Sequence, residues 1–216
     1  MRKYDTVIWD LDGTLLNTLV DLMNSVNYAL SELGYPERSL EYIRQSVGNG
    51  VRVLMKLSIP GGLDNPHYEE AFELFEKHYA IHSMDNTKAY EGIKDAINIL
   101  SREGFKQAIV SNKLDSAVKV LNNNFFGVNL AMGDQEGLAR KPAPDMVLRA
   151  MKILDADKRR TVYIGDSDVD IATARNSGLD SISVLWGFRT EKELEPYNPM
   201  KMVTSPQELV KFLLSE

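Results

Sequence analysis

The chain contains no cysteine. Disulfides, thiolate nucleophiles and cysteine-ligated metal sites are therefore excluded. Histidine is scarce as well, and all three, His67, His78 and His82, fall in one stretch. His78 and His82 are four apart, as a metal pair on one helix face would be, but no third ligand is evident; solvated side chains are expected. No apolar run reaches ~18 residues, the length of a membrane-spanning helix. The first residues lead straight into a β-forming run with no leader pattern, so a cytoplasmic protein with no membrane partner is expected. Basic blocks are missing too: 25 basic residues are scattered among 31 acidic ones, for a net charge of −6. That argues against nucleic acid as the main partner. What is present is 216 residues that are 44% hydrophobic, enough for one large domain or for a core with an inserted lobe.

The most informative stretch runs from Tyr4 to Thr18, YDTVIWDLDGTLLNT. Thr6-Val7-Ile8-Trp9 has no polar alternation, which is how a strand buried on both faces reads. Asp10 and Asp12 follow, then Gly13. Two carboxylates thus stand two residues apart at the carboxyl end of a buried strand, where ligands bind in open α/β sheets. An extended step would put both side chains on one side of the chain.

After Thr18 the period becomes helical. Leu19, Leu22, Met23, Val26, Leu30 and Leu33 form one face, closed by Gly34 and Pro36. Leu40 to Val47 and Val51 to Ile59 are further helices, split by Gly48-Asn49-Gly50. Asn65-Pro66 has the form of a cap with proline at the first helical position, opening a helix that runs towards His82. No convincing strand is expected between residues 18 and 84. Beyond 88 strands return, each followed by helical pattern: Gln107–Val110, Val128–Met132, Thr161–Ile164, Ser181–Leu185 and Lys201–Thr204. Thr190 to Glu193 reads as a capping box, as does Ser205 to Glu208. This β/α alternation implies a parallel sheet, interrupted after its first strand by an all-helical insertion.

Three further polar clusters sit at predicted strand ends or in adjoining loops: Ser111-Asn112, then Lys141, then Gly165-Asp166 with Asp170. Taken singly these are turn, surface and cap residues. Taken in order, DLDGTL, SNKLD, RKPAPD, GDSDVDIATA and WGFR resemble the motifs of the haloacid dehalogenase-like hydrolase superfamily, and within it the phosphoglycolate phosphatase-like branch. The resemblance covers the whole chain. Two departures stand out: Trp9 replaces a usual phenylalanine, and Asn17 an aspartate frequent in that branch.

The resemblance implies an α/β fold, a Rossmann-like parallel sheet core of residues 1–16 and 88–216 with a helical cap of residues 17–87. It implies a Mg²⁺-dependent phosphatase acting on a small phosphorylated metabolite through an aspartyl-phosphate. A sugar phosphomutase, a pyrophosphatase and a nucleotide 5'-phosphatase of the same fold are the alternatives, and a monomer or weak homodimer is expected. Asp10 would be the nucleophile and Asp12 the acid and base. Ser111, the Asn112 amide and Thr14 would bind phosphate, with Lys141 as a point charge. Asp10 and Asp166 would ligate the metal through their side chains and Asp12 through its backbone carbonyl, with Asp170 orienting the site. Asp168 lies outside the pattern and is expected to be exposed or a helix cap. In the insertion, Gly50 and Arg52 are the substrate-loop candidates. Arg189, in WGFR, is another.

Overall fold

β1 (Thr6–Trp9) lacks polar alternation because both its faces are covered. In the structure, a computed structural model that describes residues 3–215, all four of its residues are buried. Residues 1, 2 and 216, the ends of the expected core, lie outside the described residues. The other strands are β2 (Leu16–Asn17), β3 (Lys88–Ala89), β4 (Lys106–Leu114), β5 (Leu130–Asp134), β6 (Thr161–Gly165), β7 (Asp180–Val184) and β8 (Lys201–Val203). Six of them form one sheet in the order β5-β4-β1-β6-β7-β8, with every neighbouring pair parallel. β1 sits between β4 and β6, with Trp9 opposite Ile109 on one side and Ile164 on the other.

Alternate residues of β1 feed two different cores, as the strand period requires. Val7 and Trp9 join Ile93, Ile97 and Leu100 of α5 (Ile93–Arg102), Val118 and Leu121 of α6 (Asp115–Phe125), and Leu209 and Leu213 of α10 (Pro206–Ser215). Ile8 joins Met146, Val147 and Ala150 of α7 (Asp145–Leu154) and Ala174 of α8 (Asp168–Ser177). The result is helices on both faces of a parallel sheet, a Rossmann-like α/β architecture. The short α9 (Glu191–Leu194) opens with the capping box read from Thr190 and Glu193.

The chain divides into two compact units, Met1–Leu16 with Ala89–Glu216, and Asn17–Lys88. The second unit is helical: α1 (Leu19–Glu32), α2 (Leu40–Ser46), α3 (Val51–Ser58) and α4 (Tyr68–His82). Leu22, Val26, Leu30, Ile43, Met55 and Phe75 are buried within it. Asp21, 1% exposed, ties the unit's last residues to α1. Its carboxylate accepts from the backbone N–H groups of Asn86 and Thr87 and from the Thr87 hydroxyl. Among the described residues no helix is long and apolar enough to cross a membrane.

Several elements differ from their sequence pattern at their ends, most clearly β4 and α4. β4 runs on through Ser111 to Leu114, where polar residues suggested its end; backbone pairing with β5 continues after a register shift between Val110 and Leu114. α4 starts at Tyr68, not at Pro66, because the Asn65 side chain accepts the His67 N–H at 2.8 Å and so makes a turn before the helix.

Trp9 brings a ring N–H into the core where phenylalanine would bring none. Gln107 answers it: Trp9 Nε1 donates to Gln107 Oε1 at 3.0 Å, and Gln107 Nε2 donates to the Ile97 carbonyl at 3.0 Å and to Ser101 Oγ at 2.8 Å. Gln107→Leu is expected to cost about 1–3 kcal/mol in urea denaturation, the penalty of an orphaned buried donor. Trp9→Phe should cost less in that background than in the wild type. Additive losses would show that the pair is not coupled.

Candidate active site

The carboxyl ends of β1, β4 and β6 and the loop before α7 bring the polar clusters together. Asp10 directly follows β1 and donates its backbone N–H to the Ile164 carbonyl at 2.8 Å, so the nucleophile candidate is held by the next strand. Its side chain meets Lys141. The buried ammonium of Lys141 has three acceptors: Asp10 Oδ1 at 2.7 Å, Asp170 Oδ1 at 2.8 Å and the Tyr163 hydroxyl at 3.0 Å. Three N–H donors thereby find three partners. The backbone of Lys141 is clamped in turn by Asn112, whose Oδ1 accepts the Lys141 N–H at 2.8 Å while its Nδ2 donates to the Lys141 carbonyl at 2.9 Å. Asn112 therefore uses both side-chain atoms on the Lys141 peptide and so ties the β4 end to the loop before α7. Ser111 is 2% exposed, and its Oγ accepts the Lys113 N–H at 3.4 Å.

Asp170 is set by the start of α8. Ser167 is the N-cap and Asp170 the third helical residue, and each side chain bonds the other's backbone N–H. This capping box begins the helix at Asp168, earlier than the apolar period suggested. It fixes Asp170 Oδ2 on Ser167 and leaves Oδ1 for Lys141. Asp168 is the first residue of α8 and half-buried.

Asp166 is gripped by backbone. Thr14 Oγ1 donates to its Oδ1 at 3.2 Å and the Phe188 N–H to its Oδ2 at 2.7 Å. Thr14, a substrate-binding candidate from the sequence, is fully buried, with its hydroxyl on Asp166. Two glycines allow this close approach. A Cβ on Gly187 would lie 2.3 Å from the Asp166 Cβ and 2.4 Å from the Gly13 carbonyl oxygen. A Cβ on Gly13, at φ +84°, would lie 2.2 Å from Asp166 Oδ2.

Asp10, Asp166 and Asp170 each offer an oxygen within 4.8 Å of the others, and all three are buried. Burial first, then the Asp170 charge, pushes the Asp10 carboxyl up to about 7, against the pull of Lys141. Burial, then Asp170 and Asp10, raises Asp166 well above the carboxylate range; the Phe188 N–H and the Arg189 charge oppose this. Burial lowers Lys141, but the Asp10 and Asp170 charges outweigh it, so the ammonium stays protonated well above its usual range. Asp12 makes a second ion pair, accepting from Lys113 Nζ at 3.0 and 3.1 Å on its two oxygens. With all six groups ionised, four carboxylates face two ammoniums, an excess of two negative charges. The donors are oxygens only, and one divalent hard cation matches both the charge and the donor set.

Lys113, Tyr163 and the Phe188 N–H belong to this constellation and were not singled out from the sequence. Lys113 had a signal, standing two residues after Ser111 on a strand. Tyr163 is the one aromatic residue of its strand, and Phe188 lies in WGFR, where the sequence pointed to Arg189 rather than to the Phe188 amide. Arg189 is half-buried, and its charge acts on Asp166. Gly50 and Arg52 lie in the helical unit. Gly50 caps α3 at φ +87°, and Arg52 pairs with Glu69 at 3.1 Å and lies over the Phe72 ring at 4.1 Å. In the same unit His67 contacts Glu70, His78 contacts Ser25, and His82 contacts Asp85.

A model of the haloacid dehalogenase-like hydrolases matches residues 7–184 of this chain, and the chain belongs to that enzyme family. Within it the chain falls in the phosphoglycolate phosphatase-like branch. It is 32% identical to an Aquifex aeolicus protein named phosphoglycolate phosphatase, over 96% of this chain and 95% of the relative. A Pseudomonas putida protein of the same name is 30% identical over 91% of this chain and 75% of its own length. A crystal structure from Lactobacillus delbrueckii subsp. bulgaricus, of a protein assigned as a phosphoglycolate phosphatase, is 34% identical, with a TM-score of 0.93 over the whole of both chains.

Gly187→Ala should force the loop away from Asp166 and Gly13. Overpacking of this kind costs about 1–3 kcal/mol. The Phe188 N–H would lose its acceptor, so catalytic activity should fall more steeply than thermal stability. A variant with wild-type activity would mean that the grip on Asp166 is dispensable.

Proposed function

We propose that the chain is a Mg²⁺-dependent phosphatase that hydrolyses a small phosphate monoester, phosphoglycolate or a close chemical relative, through an aspartyl-phosphate. One observation carries the reading. Asp10 spends one oxygen on Lys141, and among the described residues its Oδ2 accepts no hydrogen bond. A carboxylate oxygen left in this way at the end of a central strand is suited to attack phosphorus. The names of the relatives at 30–34% identity support the substrate class.

In the first step an Asp10 oxygen bonds to phosphorus as the ester P–O bond breaks, and the departing alkoxide takes a proton from Asp12. In the second, water attacks phosphorus, Asp12 takes its proton, and the bond from phosphorus to Asp10 breaks to release phosphate. Lys141 balances charge on Asp10 and the phosphate throughout, and the Ser111 hydroxyl is the side-chain donor at the β4 edge. Asp10, Asp166 and the Asp12 carbonyl would hold Mg²⁺, with Asp170 orienting the site through Lys141. The cation supplies the positive charge that keeps Asp10 ionised and neutralises the phosphate dianion. Residues 17–87 are the cap in this reading, and Gly50 and Arg52 its substrate contacts.

A panel of phosphate monoesters assayed with Mg²⁺ tests the activity. Asp10→Asn should fold normally by circular dichroism and lose several orders of magnitude in turnover. Retention of more than about a hundredth of the rate would remove Asp10 from the nucleophile's role. Mg²⁺ should also raise the melting temperature, because an ion bound only by the folded state stabilises it. That shift should vanish in Asp166→Asn; an undiminished shift would put the ion elsewhere.

A further inference from the structure

The ion pair between Lys113 and Asp12 has no part in the scheme above. Lys113 lies on β4 beyond Ser111, and its side chain is 1% exposed. Its ammonium reaches both oxygens of Asp12, at 3.0 and 3.1 Å, across 101 residues of sequence. The Asp12 side chain is 14% exposed, so one end of the pair reaches solvent while the other is enclosed. A buried ion pair is poor evidence of stability, since desolvation offsets the attraction and an apolar pair of the same volume serves as well. A lysine placed here calls for a role that an apolar residue could not fill.

Geometry suggests that role. An aspartate side chain on a loop after a strand has free rotation about two bonds. Proton transfer needs its oxygen within hydrogen-bond reach of one particular atom. Contact with both oxygens leaves a carboxylate little freedom of rotation. β1 and β4 are parallel neighbours in register, so the segment bearing Asp10 and Asp12 leaves the sheet beside the part of β4 that bears Ser111 and Lys113. Lys113 is therefore built into the same rigid edge as the phosphate end of the site.

We propose that Lys113 is a positioning residue for Asp12: it holds the ionised side chain by both oxygens. When Asp12 carries the proton it gives up in the first step, Lys113 keeps one oxygen in place while the other, bearing the proton, meets the leaving-group oxygen. The proposal rests on the phosphatase reading above. Lys113 need not touch the substrate; it acts through Asp12. A lysine that served only to attract phosphate would affect every phosphate ester equally. A lysine that positions the acid matters in proportion to how much the leaving group needs a proton.

The test compares kcat/KM, which covers the steps up to departure of the alcohol, for two substrates. One is p-nitrophenyl phosphate, whose leaving group departs without a proton. The other is an alkyl phosphate ester, whose leaving group needs one. In Lys113→Met the alkyl ester should lose about 10²-fold or more, the range of general acid catalysis, and the aryl ester less than about tenfold. The ratio of the two does not depend on what fraction of the preparation is folded. Lys113→Gln gives a second measurement should the methionine variant prove insoluble. In an Asp12→Asn background, Lys113→Met should change the alkyl rate no further. Equal losses with both esters, or an additive loss in the double variant, would overturn the positioning role. A wild-type protein that turned over neither ester would instead overturn the phosphatase reading itself.

Discussion

Three elements at the carboxyl edge of the sheet meet on one buried ammonium. Lys141 Nζ meets acceptors from three separate elements: Asp10 after β1, Tyr163 in β6 and Asp170 in α8. Taking three carboxylates and a lysine out of water is costly unless each ion finds a partner at close range. The arrangement supplies those partners, yet it leaves Asp10 and Asp166 with raised affinities for protons. A buried site that remains too negative when complete favours a cation, the charge that the proposed Mg²⁺ would supply. Stability and ligand demand are thus two aspects of the same charge balance.

Three of the four acidic groups are immobilised by three different devices. Asp10 is held by the β1–β6 ladder, Asp170 by a capping box, and Asp166 by a backbone amide and a buried threonine hydroxyl. None of these devices involves a long flexible side chain. That matters for phosphoryl transfer, where the protein contributes mainly positioning and charge. Close backbone approach at Gly13 and Gly187 belongs to the same logic, because any Cβ there would meet Asp166.

Much of the fold is legible in the sequence because its signals are local. Thr6–Trp9 and Thr161–Ile164 are runs of β-formers without polar alternation, as strands covered on both faces are. The face of α1 from Leu22 to Leu30 follows the helical period. Signals fail where a side chain's partner is remote. The polarity of Ser111–Lys113 suggested a loop, yet pairing with β5 carries the strand onward. Asn65 resembled a helix cap, yet it closes a turn with His67.

The same distinction separates what was readable in the site from what was not. Residue types, their order along the chain and their places at strand ends carried the family resemblance that singled out Asp10, Asp12, Lys141, Asp166 and Asp170, and the structure brings Asp10, Lys141, Asp166 and Asp170 together. Which partner each would take was beyond any local pattern. Thr14 turned to Asp166, Asn112 to the Lys141 peptide, and Lys113 to Asp12 across 101 residues. A hydrogen bond depends on separations of about 3 Å and on direction, and only the packing of β1, β4, β6 and α8 against one another establishes those.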